Sequence, residues 1–212
     1  MRRYLGDALA LARKDLLLEL RARDTLPAML LFVVAVLVVF HFALPGGSRL
    51  ASLGLLWAAI LFTALLGLGR SFVAEREQGV LDGLVLAPSD RSAIWLGKVV
   101  ATLAFLAVAE VVALPAFALF FTSVSAETVA GVALADLGIC AVGVLLAAMA
   151  AAGRARELLL PLLFLPLAVP IVIGGVGASI ASSSGRYLGF LALYDVVFAV
   201  VAWASFEYVV TE

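Results

Sequence analysis

The chain has one cysteine and one histidine in 212 residues, and that scarcity excludes several classes of chemistry at once. Cys140 lies inside a long apolar run, so the sequence holds no disulfide, no CxxC metal clip and no CxxCH haem attachment site. His41 stands near the end of another apolar run. It reads as a hydrogen-bonded or snorkelling side chain, with a ligand role as the weaker alternative. Charge is equally scarce, at 14% of residues, and Ser, His and acidic residues do not cluster in any loop as a hydrolase site requires. Gly97-Lys98 looks superficially like the end of a phosphate-binding loop, but Val99 replaces the Ser or Thr that would hold magnesium. Ser92 stands where that loop needs its first Gly. The chain therefore holds no ATP by that route, and no metal site is expected.

What remains is hydrocarbon. With 65% hydrophobic residues and a mean hydropathy of +1.20, the composition is that of an integral membrane protein. Six apolar runs, 26–44, 50–69, 99–121, 129–152, 158–181 and 187–210, each approach the roughly 20 residues that cross a bilayer as a helix. None alternates with the period of a membrane β-strand. The expected fold is a single all-α transmembrane domain over 1–212. A cleaved signal peptide is not expected, because the first run begins only at Leu26 and exceeds a signal-peptide core in length.

The positions of the 14 Lys and Arg set the orientation. With the N-terminus in the cytoplasm, only Arg49 and Arg186 fall outside, while Arg2, Arg3, Arg13, Lys14, Arg21, Arg23, Arg70, Arg76, Arg91, Lys98, Arg154 and Arg156 fall inside. Both termini are then cytoplasmic. Before the first span, Tyr4, Leu5, Ala8, Leu9, Ala12, Leu16 and Leu20 recur at helical steps. Residues 1–25 therefore read as an amphipathic helix on the inner membrane surface, turning into the first span at Thr25-Leu26-Pro27.

The one long charged stretch inside the chain is "FVAEREQGVLDGLVLAPSDRSAIWLGK", residues 72–98, between the second and third spans on the cytoplasmic side. On a helix, Val73, Val80 and Leu84 share one face while Glu75, Gln78 and Asp82 share the other, with Glu77 among the apolar positions. Pro88 ends that helix, and Ser89 or Asp90 is available to cap the next.

These residues resemble the ERE-x-G-x-L…L-x-P…R…GK signature of the membrane subunits of ABC exporters. The resemblance implies that Glu75, Arg76, Glu77, Gly79, Leu81, Asp82 and Pro88 belong to a coupling helix docking on a separate ATPase subunit. In the fifth span, "LPLLFLPLAVPIVIGGVGAS" resembles the membrane subunit of the cytochrome c maturation haem exporter, the CcmB family. The C-terminal "YLGFLALYDVVFAVVAWASFEYVVTE" is similar to that family's last span. The resemblance implies a non-catalytic permease subunit in a bacterial cytoplasmic membrane, paired with a second copy of itself and with an ATPase subunit carrying Mg-ATP. A haem-handling membrane protein and a periplasmic haem chaperone are the other implied partners. ATP hydrolysis would drive haem export or release of the loaded chaperone, with haem handled by the complex and no cofactor resident in this chain. A permease for polysaccharide, lipid or drug is the alternative within transport, and an assembly scaffold without ATPase coupling is the alternative outside it.

Three acids lie deep within the spans, Glu110, Asp136 and Asp195, with no Lys or Arg inside a span to pair with them. They read either as a polar vestibule or gate, or as acids hydrogen-bonded within the bundle. Such acids suit anionic haem propionates badly, which favours force transmission over a haem pore and leaves outer-face contact through Arg49 or Arg186 open. Gly143, Ala147 and Ala151 form a smooth ridge that reads as packing within the bundle. Pro161, Pro166 and Pro170, followed by Gly174, Gly175 and Gly177, predict a kinked or broken fifth span, a hinge or a re-entrant tip.

The orientation is directly testable. In a Cys140→Ala background, cysteines at Ser48, Ser125 and Ser184 are expected to react with an impermeant thiol reagent added outside, and cysteines at Ser89 and Ala155 to stay protected. Outside labelling at position 89 with protection at position 48 overturns the assignment.

Overall fold

The computed structural model describes residues 2–44, 46–73, 90–152 and 156–211. Within them the chain forms α1 (Arg2–Ala22), α2 (Thr25–Ala43), α3 (Arg49–Arg70), α4 (Arg91–Phe120), α5 (Ala126–Ala152), α6 (Arg156–Ile180) and α7 (Ser184–Thr211). The described residues contain no strand. The last six helices are long and apolar enough to cross a membrane, so the protein is an all-α bundle of six spans preceded by one further helix.

Local chemistry sets the helix ends. Arg23 adopts a left-handed φ of 57° and its N–H donates to the Glu19 carbonyl at 2.7 Å, which closes α1. The Glu19 carboxylate then accepts from the Thr25 and Leu26 N–H groups at 2.6 and 2.8 Å. One side chain of α1 thus caps α2, while Asp24 makes no cap of its own. Ser48 caps α3 through the Ala51 N–H at 3.3 Å. Asp90 caps α4, accepting from the Ser92 N–H at 3.1 Å and the Ser92 hydroxyl at 2.7 Å. That cap starts α4 at Arg91 rather than near Val99, so the end of the expected cytoplasmic segment is the first two turns of a span-bearing helix.

In lipid, burial of apolar area does not drive helices together, and close packing at small residues takes its place. α5 shows this most clearly, with 67% of its span window buried, and it packs most extensively on α6 and α7. At Gly143 a Cβ would overlap the Leu68 side chain of α3, so the expected small ridge is a seat within the bundle. On α6, Gly175 leaves room for the Trp57 ring, which a Cβ would overlap. The indole N–H donates to Ser179 Oγ at 3.4 Å, and Ser179 donates to the Gly175 carbonyl at 2.9 Å.

α6 differs from expectation. It is helical without interruption across Pro161, Pro166 and Pro170, and its 25 residues, about 37 Å of helix, leave no break or re-entrant tip. The Tyr194 hydroxyl of α7 donates to the Leu167 carbonyl within this stretch at 2.7 Å, which ties α7 to it, while the carbonyls the prolines at 166 and 170 free are those of Leu162 and Pro166.

α1 packs on α4, with Ala8 and Ala12 buried against it and Leu5, Leu9 and Leu20 left 50–69% exposed. Of the expected stripe, the alanines Ala8 and Ala12 form the packed face and the leucines Leu5, Leu9 and Leu20 do not. At Gly97 a Cβ would lie 2.8 Å from both the Ala8 carbonyl oxygen and Leu11 Cβ, and only small side chains permit that approach.

Gly175→Ala is expected to lower the stability of the detergent-solubilised protein by about 1–3 kcal/mol through overpacking, and Trp57→Leu to restore part of it. Thermal unfolding followed by loss of monodisperse protein measures both. A Gly175→Ala protein as stable as wild type is incompatible with this seat for Trp57.

Candidate functional site

At the end of the bundle where α1 lies, Lys98 is 5% exposed and joins three elements. Its Nζ lies 2.9 Å from Asp15 Oδ2 of α1, donates to the Ser71 carbonyl at the end of α3 at 2.6 Å, and stands 5.0 Å from the centre of the Phe72 ring. Lys14 also reaches Asp15, at 3.2 Å. A buried ammonium is tolerable only with such partners, so the cluster ties α1, α3 and α4 together. It borders a cavity of about 590 Å³ lined among others by Asp15, Glu19, Arg70, Ser71, Lys98 and Thr102. At the same end Arg91 of α4 meets Glu207 of α7 at 3.5 Å.

The clamp includes both ends of the charged stretch 72–98, Phe72 and Lys98, and within that stretch residues 72, 73 and 90–98 are described. Glu75, Arg76, Glu77, Gly79, Leu81, Asp82 and Pro88 lie outside the described residues. Neither Asp15 nor Lys98 is singled out by sequence reasoning. The Gly97-Lys98 pair within the exporter motif was the available signal, but its partner lies on another helix, far away in sequence.

The three midspan acids are all buried, Glu110 at 8%, Asp136 at 3% and Asp195 at 8% exposure. Antiparallel packing brings Glu110 of α4 and Asp136 of α5 into side-chain hydrogen-bond contact. Two carboxylates have no hydrogen to donate, so a pair in this contact holds a proton between its members. Glu110 Oε1 and Asp136 Oδ1 have no hydrogen-bond partner among the described residues, nor does either oxygen of Asp195. Asp195 of α7 packs instead on Gly138, where a Cβ would fall 2.5 Å from its Oδ1. The pair that forms is Glu110 with Asp136, a juxtaposition that separate positions in the sequence do not announce. It can carry a proton and link two helices. Among the described residues, no group of three or more His, Cys, Asp or Glu could hold a metal ion.

At the opposite end, Arg49 opens α3 and Arg186 follows the start of α7, both exposed. His41 lies near the end of α2 with Nδ1 2.8 Å from the Phe120 carbonyl oxygen of α4, the hydrogen-bonded side chain that the sequence suggests. Its ring centre is 5.4, 5.2 and 5.9 Å from those of Phe42, Phe120 and Phe121.

Six helices long and apolar enough to cross a membrane, packed around an internal ion-pair clamp and buried acids, define a multi-pass membrane protein. Residues 7–207 match the family described as CcmB protein, and the chain belongs to that family. Heme exporter protein B of Pseudomonas aeruginosa is 37% identical over 185 residues, covering 84% of this chain and 82% of that protein. Heme exporter protein B of Bradyrhizobium diazoefficiens is 32% identical over 176 residues, with 80% and 79% coverage. The protein of that name from Paracoccus denitrificans is 33% identical over 183 residues, with 83% and 84% coverage.

Glu110→Gln, which keeps shape and hydrogen bonding to Asp136, is expected to leave the yield of folded protein near wild type. Glu110→Leu strands the Asp136 carboxyl at a cost of about 1–3 kcal/mol. Adding Asp136→Leu to Glu110→Leu recovers part of the yield. Equal thermal stability of Glu110→Leu and wild type in detergent would show that the pair contributes nothing.

Proposed function

We propose that this chain is the membrane subunit of an ABC-type haem exporter complex in c-type cytochrome biogenesis, with ATP hydrolysed on a separate subunit and both termini in the cytoplasm. Family membership and the names of the relatives support the haem-related reading over a permease for polysaccharide, lipid or drug. The observation that carries the coupling role is the Lys98 clamp. It holds the end of α3, the base of α4 and α1 together beside the segment bearing the exporter motif. A docking segment transmits movement only if its roots are held to the elements that must move, and a buried ion pair with a carbonyl contact supplies that stiffness. Glu75 and Asp82 face the ATPase subunit in this reading, while Glu77, Gly79 and the motif's Leu81 and Pro88 shape the segment.

The buried acids favour force transmission over a haem pore, since no cation stands at the depth of the midspan acids to await a propionate, and Lys98 near the start of α4 is already held by Asp15. The subunit then works as a pair with its own copy. It transmits hydrolysis on the ATPase subunit to a haem-handling membrane protein and a periplasmic haem chaperone, whose loaded form is released. Haem belongs to the complex and Mg-ATP to the partner, and this chain carries no catalytic residue.

Affinity purification in mild detergent is expected to recover an ATPase subunit with the wild-type chain. Recovery should fall several-fold with Glu75→Lys combined with Asp82→Lys while the folded membrane subunit persists. Undiminished ATPase recovery by the double variant removes that face from the coupling surface. Purification of wild type without any ATPase subunit favours the assembly scaffold instead.

A further inference from the structure

We infer that His41 offers an axial ligand to haem at the end of the bundle opposite α1, on an aromatic platform formed with Phe42, Phe120 and Phe121. The inference rests on the haem-related reading above and adds the place and mode of contact. The Phe120 carbonyl oxygen can only accept, so the 2.8 Å contact places the hydrogen on His41 Nδ1. Neutral imidazole then carries its free lone pair on Nε2, and the ring is held by a backbone carbonyl in the manner of orienting bonds behind metal-ligating histidines. Coordination uses the Nε2 lone pair and displaces a water or other weak ligand from the iron. It breaks no bond within the side chain and leaves the Nδ1 proton in place.

The residue types that ligate haem iron are few, and at this end the described ones are His41 and Tyr187. Tyr187 is partly buried with its ring packed on Gly177 of α6, which leaves His41 as the exposed one. Cys140 and Met29 are fully buried, Met149 and Tyr208 lie toward the opposite ends of their helices, and the Tyr194 hydroxyl is committed to the Leu167 carbonyl. The surroundings suit a flat apolar macrocycle. Phe42, whose ring meets the imidazole, is 78% exposed, and Phe121 stacks on the buried Phe117 with centroids 5.2 Å apart, which fixes one wall of the platform. Propionates at this end would find Arg49, the exposed first residue of α3.

The test is a titration of hemin into the full chain in lipid nanodiscs, read by the Soret band and by resonance Raman, with empty nanodiscs as baseline. Wild type is expected to give a saturable nitrogen-ligated spectrum. His41→Gln retains an amide N–H for the Phe120 carbonyl and so preserves yield. It should lose that spectrum and bind about tenfold or more weakly. Imidazole added to His41→Gly should restore the signature, which a purely structural role for His41 does not predict. The same spectrum and affinity in His41→Gln and wild type overturn the assignment, as does a wild type that takes up no hemin beyond empty nanodiscs. Neither result alters recovery of the ATPase subunit, which judges the exporter reading separately.

Discussion

The structure depends on close approach of helices at small residues around α5. A bundle in hydrocarbon gains nothing by hiding leucine from lipid, so its cohesion comes from contacts that only close-lying backbones can make. Gly143 admits Leu68 from α3, Gly138 admits Asp195 from α7, and on α6 Gly175 admits Trp57. The two seats on α5 take α3 and α7, and the seat on α6 takes α3 again, so α3 is held from both sides. The most buried span is accordingly the one with an alanine-rich end and no proline or aromatic residue.

Polar groups are admitted to this interior only where that packing supplies partners. Lys98 is buried there because Asp15, Ser71 and Phe72 meet its ammonium group, and Asp15 is there because α1 lies directly on Gly97. The midspan acids follow the same logic less completely. Glu110 and Asp136 share one contact across α4 and α5 and each keeps one oxygen without a partner among the described residues, whereas Asp195 rests on a glycine with both oxygens unmatched.

α4 connects these features. Its 30 residues, about 45 Å of helix, carry Lys98 in the clamp, Glu110 at midspan and Phe117 and Phe120 under the aromatic platform. One helix thus links the clamp, the acid pair and the carbonyl that orients His41, with Pro115 between Glu110 and Phe117.

The sequence by itself determined everything governed by local chemistry. Six apolar runs became six span-length helices, Asp90 became the cap its position foretold, and His41 proved hydrogen-bonded. The amphipathic start of the chain was legible as a helix whose stripe includes the buried Ala8 and Ala12, but not that Leu5, Leu9 and Leu20 of the same stripe stay exposed, because close packing selects the small side chains. The three prolines of α6 suggested a kink or a break, and only the folded bundle shows that the helix runs on through them. Which charges meet was decided by tertiary structure alone. Lys98 with Asp15, Glu19 over the start of α2, and Glu110 with Asp136 are each pairs between different helices, and no spacing along one helix encodes a partner on another. Periodicity and capping act over a few residues and are written in order along the chain, whereas partner choice among apolar helices depends on complementary surfaces that exist only once the bundle has closed.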